Sequence, residues 1–192
     1  VAKYGDKRRT ELAQIEVPKA EKEIETVVPE DCVVIATQNG DIKRVPANAF
    51  KIQKRNGKGV KTADDAILDM ISTNTVDTLL FFTDKGKVYS TKGFMIPEAQ
   101  RTARGRAIVN LIQIEVGEKV CAMIPLKEGT DGYVVIATKN GLIKKTALSE
   151  FANIRKTGKI AISIVDNDEL ISVQLSSGND QIIIASHEGK CI

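Results

Sequence analysis

Three short segments carry the residue types that grip phosphate esters. They are Gln53-Lys54-Arg55-Asn56-Gly57-Lys58-Gly59, Gln100-Arg101-Thr102-Ala103-Arg104-Gly105-Arg106 and Ile154-Arg155-Lys156-Thr157-Gly158-Lys159. Each joins several cations to at least one glycine. The cations attract phosphates and release condensed counterions on binding. Glycine lets the backbone come close, and turn amides can add hydrogen bonds to an anionic oxygen. No base-reading element accompanies them, and aromatics make up only 4% of the chain, so stacking platforms for single strands are not expected. One polar loop between strands is often charged for solubility alone. Three loops of one sign at equivalent places in a repeat would instead line one rim.

Other chemistry is poorly represented. His187 is the single histidine and falls in a turn. Tyr89 and Tyr133 fall in strands, where half-buried packing is the expected role. Gly57-Lys58-Gly59 lacks the spacing and the Ser/Thr of a nucleotide-binding loop. Asp64-Asp65 and Asp166-Asn167-Asp168 read as turn signals rather than cation ligands. No catalytic residue, metal or cofactor is assigned. Cys32, Cys121 and Cys191 are odd in number and scattered, which argues against a disulfide framework or a zinc site and favours a reducing cytoplasm. No apolar run approaches the roughly 20 residues of a membrane helix, and no signal peptide is visible. The 192 residues are 42% apolar, enough to bury a sizeable core, and carry a net charge of +3. That balance is uneven: residues 1–31 are net acidic and residues 32–192 net basic.

The loops belong to a repeat. An apolar β-branched run, a turn ending in glycine and a short strand recur at residues 32–44, 78–89, 133–145 and 181–192. Gly40, Gly86, Gly141 and Gly189 mark the turns at intervals of about 50 residues. Asn39-Gly40 and Asn140-Gly141 suggest type I′ hairpins, with Lys85-Gly86 and Glu188-Gly189 as weaker versions. Each of the first three hairpins is followed by an apolar anchor (Phe50; Phe94-Met95-Ile96; Leu148 with Phe151) and then by the basic loop. A third apolar strand is expected at 66–71, 107–112 and 161–165, and a fourth at 120–126 and 170–175. Units of about 40–50 residues with some four strands are propeller-type blades. The fold class is therefore all-β: a propeller-like array of four-stranded antiparallel blades. Residues 1–31 form a leader and 32–192 the blades, at 32–77, 78–132, 133–180 and, in part, 181–192. Three complete blades and the opening of a fourth are expected, with an apolar edge at 181–185 open to pairing.

The loop Gln53–Gly59 resembles the gyrase A-box, written Q-R-R-G-G-[RK]-G. Gln53, Arg55, Gly57, Lys58 and Gly59 match; Lys54 stands for Arg and loses its bidentate fork, and Asn56 stands for Gly. The I-A-T-x-N-G-x-I-K-[RK] hairpins and the A-R-G-R element are also similar, and Tyr4–Glu11 resembles the junction with a breakage–reunion core. The chain is thus similar, almost throughout, to the C-terminal DNA-wrapping domains of gyrase A proteins. The resemblance implies a β-pinwheel whose blades exchange strands. Duplex DNA would bend around its basic rim, and ATP-driven strand passage elsewhere in the enzyme would introduce negative supercoils. It further implies a non-catalytic role for this segment, since neither Tyr4, Tyr89 nor Tyr133 lies in the context of the family's cleaving tyrosine. Its partners would be double-stranded DNA, the gyrase A core homodimer and gyrase B, in a nucleoid-associated cytoplasmic setting without a membrane. The DNA-binding residues would be Gln53, Lys54, Arg55, Asn56, Gly57, Lys58, Gly59, Arg101, Arg104, Arg106, Arg155, Lys156 and Lys159. The alternatives are a topoisomerase IV ParC-type C-terminal domain and a protein-binding propeller.

Overall fold

The computed structural model describes residues 27–50, 65–127, 129–165 and 167–192. The loop Gln53–Gly59 and residues 1–26 of the leader lie outside that range. Among the described residues the regular structure is all-β, interrupted only by single 3₁₀ turns.

Three hairpins organise the array: β1 (Asp31–Thr37) with β2 (Asp41–Pro46), β4 (Thr78–Thr83) with β5 (Lys87–Lys92), and β8 (Tyr133–Thr138) with β9 (Ile143–Ala147). Between the hairpins lie β3 (Ile67–Asn74), β6 (Arg106–Ala107) and β7 (Val120–Leu126), and after them β10 (Lys159–Ile160) and β11 (Leu170–Ser176). The turns differ from expectation. Asn167 is the only non-glycine with positive φ among the described residues, so Asn39 and Asn140 do not adopt the angles of a type I′ turn. Instead the glycine occupies the fourth position. Gly40, Gly86, Gly141 and Gly189 have φ of 82°, 74°, 89° and 78° and donate to the carbonyls of Thr37, Thr83, Thr138 and Ser186. This is a four-residue turn whose left-handed glycine re-enters the second strand. In every copy the hydroxyl of that Thr or Ser accepts from the amide just past the glycine, on Asp41, Lys87, Leu142 and Lys190. A Thr three positions before the glycine is therefore a structural part of the repeat, because it satisfies an amide the turn would leave unpaired.

The sheets do not coincide with the sequence units. Their orders are β3-β1-β2-β6, β10-β5-β4-β7 and β11-β8-β9, all antiparallel. β6 follows the second hairpin but pairs with β2 of the first; β10 follows the third hairpin but pairs with β5 of the second. The segment at 66–71, which the sequence repeat aligns with 107–112 and 161–165, is instead the counterpart of β7 and β11. It lies in β3, against β1. Of the other two stretches only Ala107 is paired in a strand, since β6 is Arg106–Ala107 and β10, Lys159–Ile160, ends just before 161. The rest forms a 3₁₀ turn at Ile108–Asn110 and irregular backbone at 161–165. A short apolar run cannot be told from a buried turn by periodicity, and here Ile108, Ile112, Ala161 and Ile162 enter the cores without a ladder. The apolar anchors are 3₁₀ turns at Ala47–Ala49, Gly93–Met95 and Leu148–Phe151.

The middle sheet is buried on both faces, which explains the unbroken run Leu79-Leu80-Phe81-Phe82. Leu79, Phe81, Tyr89 and Met123 pack with Val34, Ala36 and Ile42 of the first sheet. Leu80, Phe82, Val88 and Ile124 pack with Val134, Ile136 and Phe151 of the third, where Phe82 and Phe151 meet edge to face at 5.8 Å. β3 packs against β7, and β7 against β11. These strands form the line on which the blades converge, which leaves β6 and β10 on the opposite, outer edge. The fourth hairpin is formed by mutual bonds between Ile184 and Ile192 at 2.9 Å, and Ile183 on it is 81% exposed.

Candidate nucleic-acid interface

The basic loops at 100–106 and 154–159 each run into an outer-edge strand. Arg106 sits opposite Ile42 and Lys159 opposite Val88, and these partners hold the same place in their hairpins. Arg106 and Lys159 are thus equivalent, each just after a glycine, Gly105 or Gly158. In the sequence Lys58 follows Gly57 in the same way, in the loop beyond the described residues. The remaining cations are staggered: Arg101 and Arg104 in one loop, Arg155 and Lys156 in the other.

Arg106, Arg155 and Lys156 are exposed, and among the described residues no ion pair engages them. Arg104 is 76% exposed, yet its Nε donates to the Asp41 carboxylate at 2.7 Å, and Asp41 is only 7% exposed. Arg101 is half-buried, and its Nη1 donates to the Ala49 carbonyl at 3.3 Å, tying the loop to the preceding 3₁₀ turn. Lys159 folds back: its Nζ donates to the Glu150 carbonyl at 2.6 Å, pairs with the Glu150 carboxylate at 3.3 Å and stands 5.9 Å from the Phe151 ring. Of the six cations of these two loops, three have no ion-pair partner among the described residues, one is held by a carboxylate and two brace the fold.

Lys43 of β2, which the sequence does not set apart from its basic neighbours, is 2% exposed. Its Nζ donates to the Arg101 and Ala103 carbonyls at 2.6 and 2.7 Å. Burial lowers its pKa, and the two carbonyls stand in for lost water. It lies with Asp41 and Val45 on one face of a strand whose two faces are both largely buried, a burial that only the structure shows. Tyr89 occupies the equivalent place in β5. It is buried rather than half-buried, and its hydroxyl donates to the Glu118 carboxylate at 3.0 Å. Tyr133 is 38% exposed, with the Lys145 ammonium 4.2 Å above its ring. His187 is exposed in its turn. No helix among the described residues is long and apolar enough to cross a membrane.

The family described as "DNA gyrase C-terminal domain, beta-propeller" matches at residues 33–74, 77–127 and 132–177, one stretch for each hairpin unit. The chain belongs to that family. The DNA gyrase A protein of Clostridium acetobutylicum is 42% identical over the full chain, which spans 23% of that protein's length. Among solved structures, the gyrase-family fold here is similar to the C-terminal domain of DNA topoisomerase IV, with a TM-score of 0.71 and 29% identity over 86% of this chain and 52% of that one. It is also similar to a DNA gyrase A C-terminal domain, with a TM-score of 0.66 and 28% identity over 84% of this chain and 53% of that one. The gyrase C-terminal-domain assignment thus accounts for all three hairpin units, while the chain spans about half of each solved relative and less than a quarter of the curated one.

Proposed function

We propose that the chain is the duplex-DNA-binding and bending segment of a gyrase A protein, working on the phosphate backbone and supplying no chemistry of its own. In this reading residues 1–31 lead from the topoisomerase core and 32–192 carry the blades. DNA lies along the outer edge past the loops at 53–59, 100–106 and 154–159. The observation that carries it is the set of exposed cations Arg106, Arg155 and Lys156, unpaired among the described residues, with Arg104 beside them, at the roots of the two outer-edge strands of successive blades. Bending 20–30 base pairs costs roughly 1–6 kcal/mol, which phosphate contacts spread over several blades can offset. The partners follow from the family: double-stranded DNA, the gyrase A core homodimer and gyrase B, in the cytoplasm.

The test is the salt dependence of duplex binding. Affinity should fall with a log–log slope of about −0.9 for each phosphate neutralised and vary little between sequences of equal length. A shallow slope or a strong preference for one short sequence would refute phosphate recognition. The topoisomerase IV reading has the likeness to that enzyme's C-terminal domain in its favour and differs in topological outcome. The intact parent protein, assembled with its partner, would then relax DNA without introducing negative supercoils.

A further inference from the structure

We infer that Lys43 and Asp41 are positioning residues for DNA bending: from β2 of one unit they fix the loop of the next in the shape that presents Arg104 and Arg106. This rests on the reading of the chain as a DNA-bending segment.

The fastening runs along three successive residues of β2. Lys43 is too buried to reach a phosphate, and it spends its ammonium donors on the Arg101 and Ala103 carbonyls. Ala103 in turn donates its amide to the Gln100 carbonyl at 3.0 Å, so the loop is drawn into a tight turn over Nζ. Ile42 lies so close to Gly105 that a β-carbon there would fall 2.5 Å from the Ile42 carbonyl oxygen. Asp41, almost wholly buried, holds Arg104 by Nε while the Arg104 side chain stays 76% exposed. Charge-assisted bonds of this kind fix direction as well as distance.

The next blade lacks this device. Tyr89 stands where Lys43 does, and Lys87, where Asp41 does, pairs with Glu115 instead. The loop at 154–159 rests on the Tyr89 ring and is tied to Glu150 through Lys159, while the backbone of the loop at 100–106 is bonded directly by a side chain of the neighbouring hairpin. A duplex that passes both meets two differently built supports, of which the first has its loop backbone fastened from β2. A loop fixed in this way can hold bent DNA against its elastic recoil.

The test separates binding from bending in the intact chain. Affinity is measured on a 12-base-pair duplex, too short to need bending. Bending is read as the ligase-catalysed circularisation rate of a fragment of about 150 base pairs, near the persistence length of DNA. Lys43→Met keeps every exposed cation. It should bind the short duplex within about twofold of wild type, with the same salt slope, because no phosphate contact is lost. Its enhancement of circularisation should fall at least about fivefold. Asp41→Asn leaves the Lys43 bonds in place and frees Arg104. It should bind the short duplex equally or more tightly while circularising less, a split that general loosening of the fold would not produce. If Lys43→Met does not fold, the Asp41→Asn arm decides. Wild-type circularisation by the variants overturns the inference, as does a salt slope for Lys43→Met that is smaller by about one phosphate. If the wild-type chain itself fails to speed circularisation, the DNA-bending reading falls, and the inference with it.

Discussion

Gly158 packs against the ring of Tyr89 so closely that a β-carbon on it would fall 2.8 Å from Cε1. Its φ of +82° is also one that side-chain-bearing residues rarely adopt. The contact joins two units: Tyr89 belongs to the second hairpin, and Gly158 ends the basic loop of the third. The ring beneath the loop and the absence of a side chain above it are one fitted joint. Replacement of Gly158 by alanine should therefore cost about 1–3 kcal/mol, from backbone strain plus displacement of a buried ring. Chemical denaturation of the two proteins checks this, and equal midpoints would show that the joint yields without cost.

The same tyrosine gives a pH dependence with a definite sign. Burial, then the hydrogen bond to the Glu118 carboxylate, push the Tyr89 phenol well above its ordinary value. The folded state then holds a proton that the unfolded chain releases near pH 10, so stability is fully present below about pH 10 and declines as pH rises further. Ultraviolet titration should show one tyrosine ionising only as the protein unfolds. Tyr89→Phe should remove that component and, by leaving the buried Glu118 short of a donor, cost about 1–3 kcal/mol at neutral pH. Ionisation of Tyr89 in the native protein, before unfolding, would contradict the buried network.

Much of this architecture is legible in the sequence because it is local. The apolar runs at 33–36, 79–82 and 134–137 and their turn glycines are strands and hairpins, and the family matches the same three units. What is not legible is non-local. β6 and β10 are two-residue strands without periodicity, and only their neighbours in space, Ile42 and Val88, make them strands. The same limit applies to charge. Arg106 and Lys159 are equivalent cations in the sequence, but Glu150 lies within reach of one alone. Lys43 and Arg44 are adjacent bases, yet the first is a buried clamp and the second half-buried beside Glu98 at 3.2 Å. The asparagines before the turn glycines point to one turn type. The Thr hydroxyls that stabilise the turn actually formed look, in the sequence, like ordinary strand residues.

Thiol chemistry separates the three cysteines. Desolvation pushes the Cys121 thiol up to about 12, and burial also raises that of Cys32. Cys191 is exposed on the terminal hairpin. Since the thiolate is the reactive form, iodoacetamide at pH 8 should label Cys191 first and leave Cys32 and Cys121 slow until denaturant is added. Peptide mass analysis over time reads this directly. Early labelling of Cys121 would mean that the packing of β7 on β4 opens readily.

In the proposed function duplex DNA bends around the outer edge of the blades, held by the basic loops. The most direct measurement is energy transfer between dyes at the two ends of a duplex of about 40 base pairs, with and without the chain. Wild-type protein should raise the transfer. Replacing Lys54, Arg55 and Lys58 with alanine should abolish the rise while short duplexes still bind, more weakly, through Arg104, Arg106, Arg155 and Lys156. Neutralising Arg101, Arg104 and Arg106 should lower affinity but leave part of the bend. Bound wild-type protein with no rise in transfer would contradict the account. A rise that survives loss of the first loop but not of the second would move the anchor from Gln53–Gly59 to Gln100–Arg106.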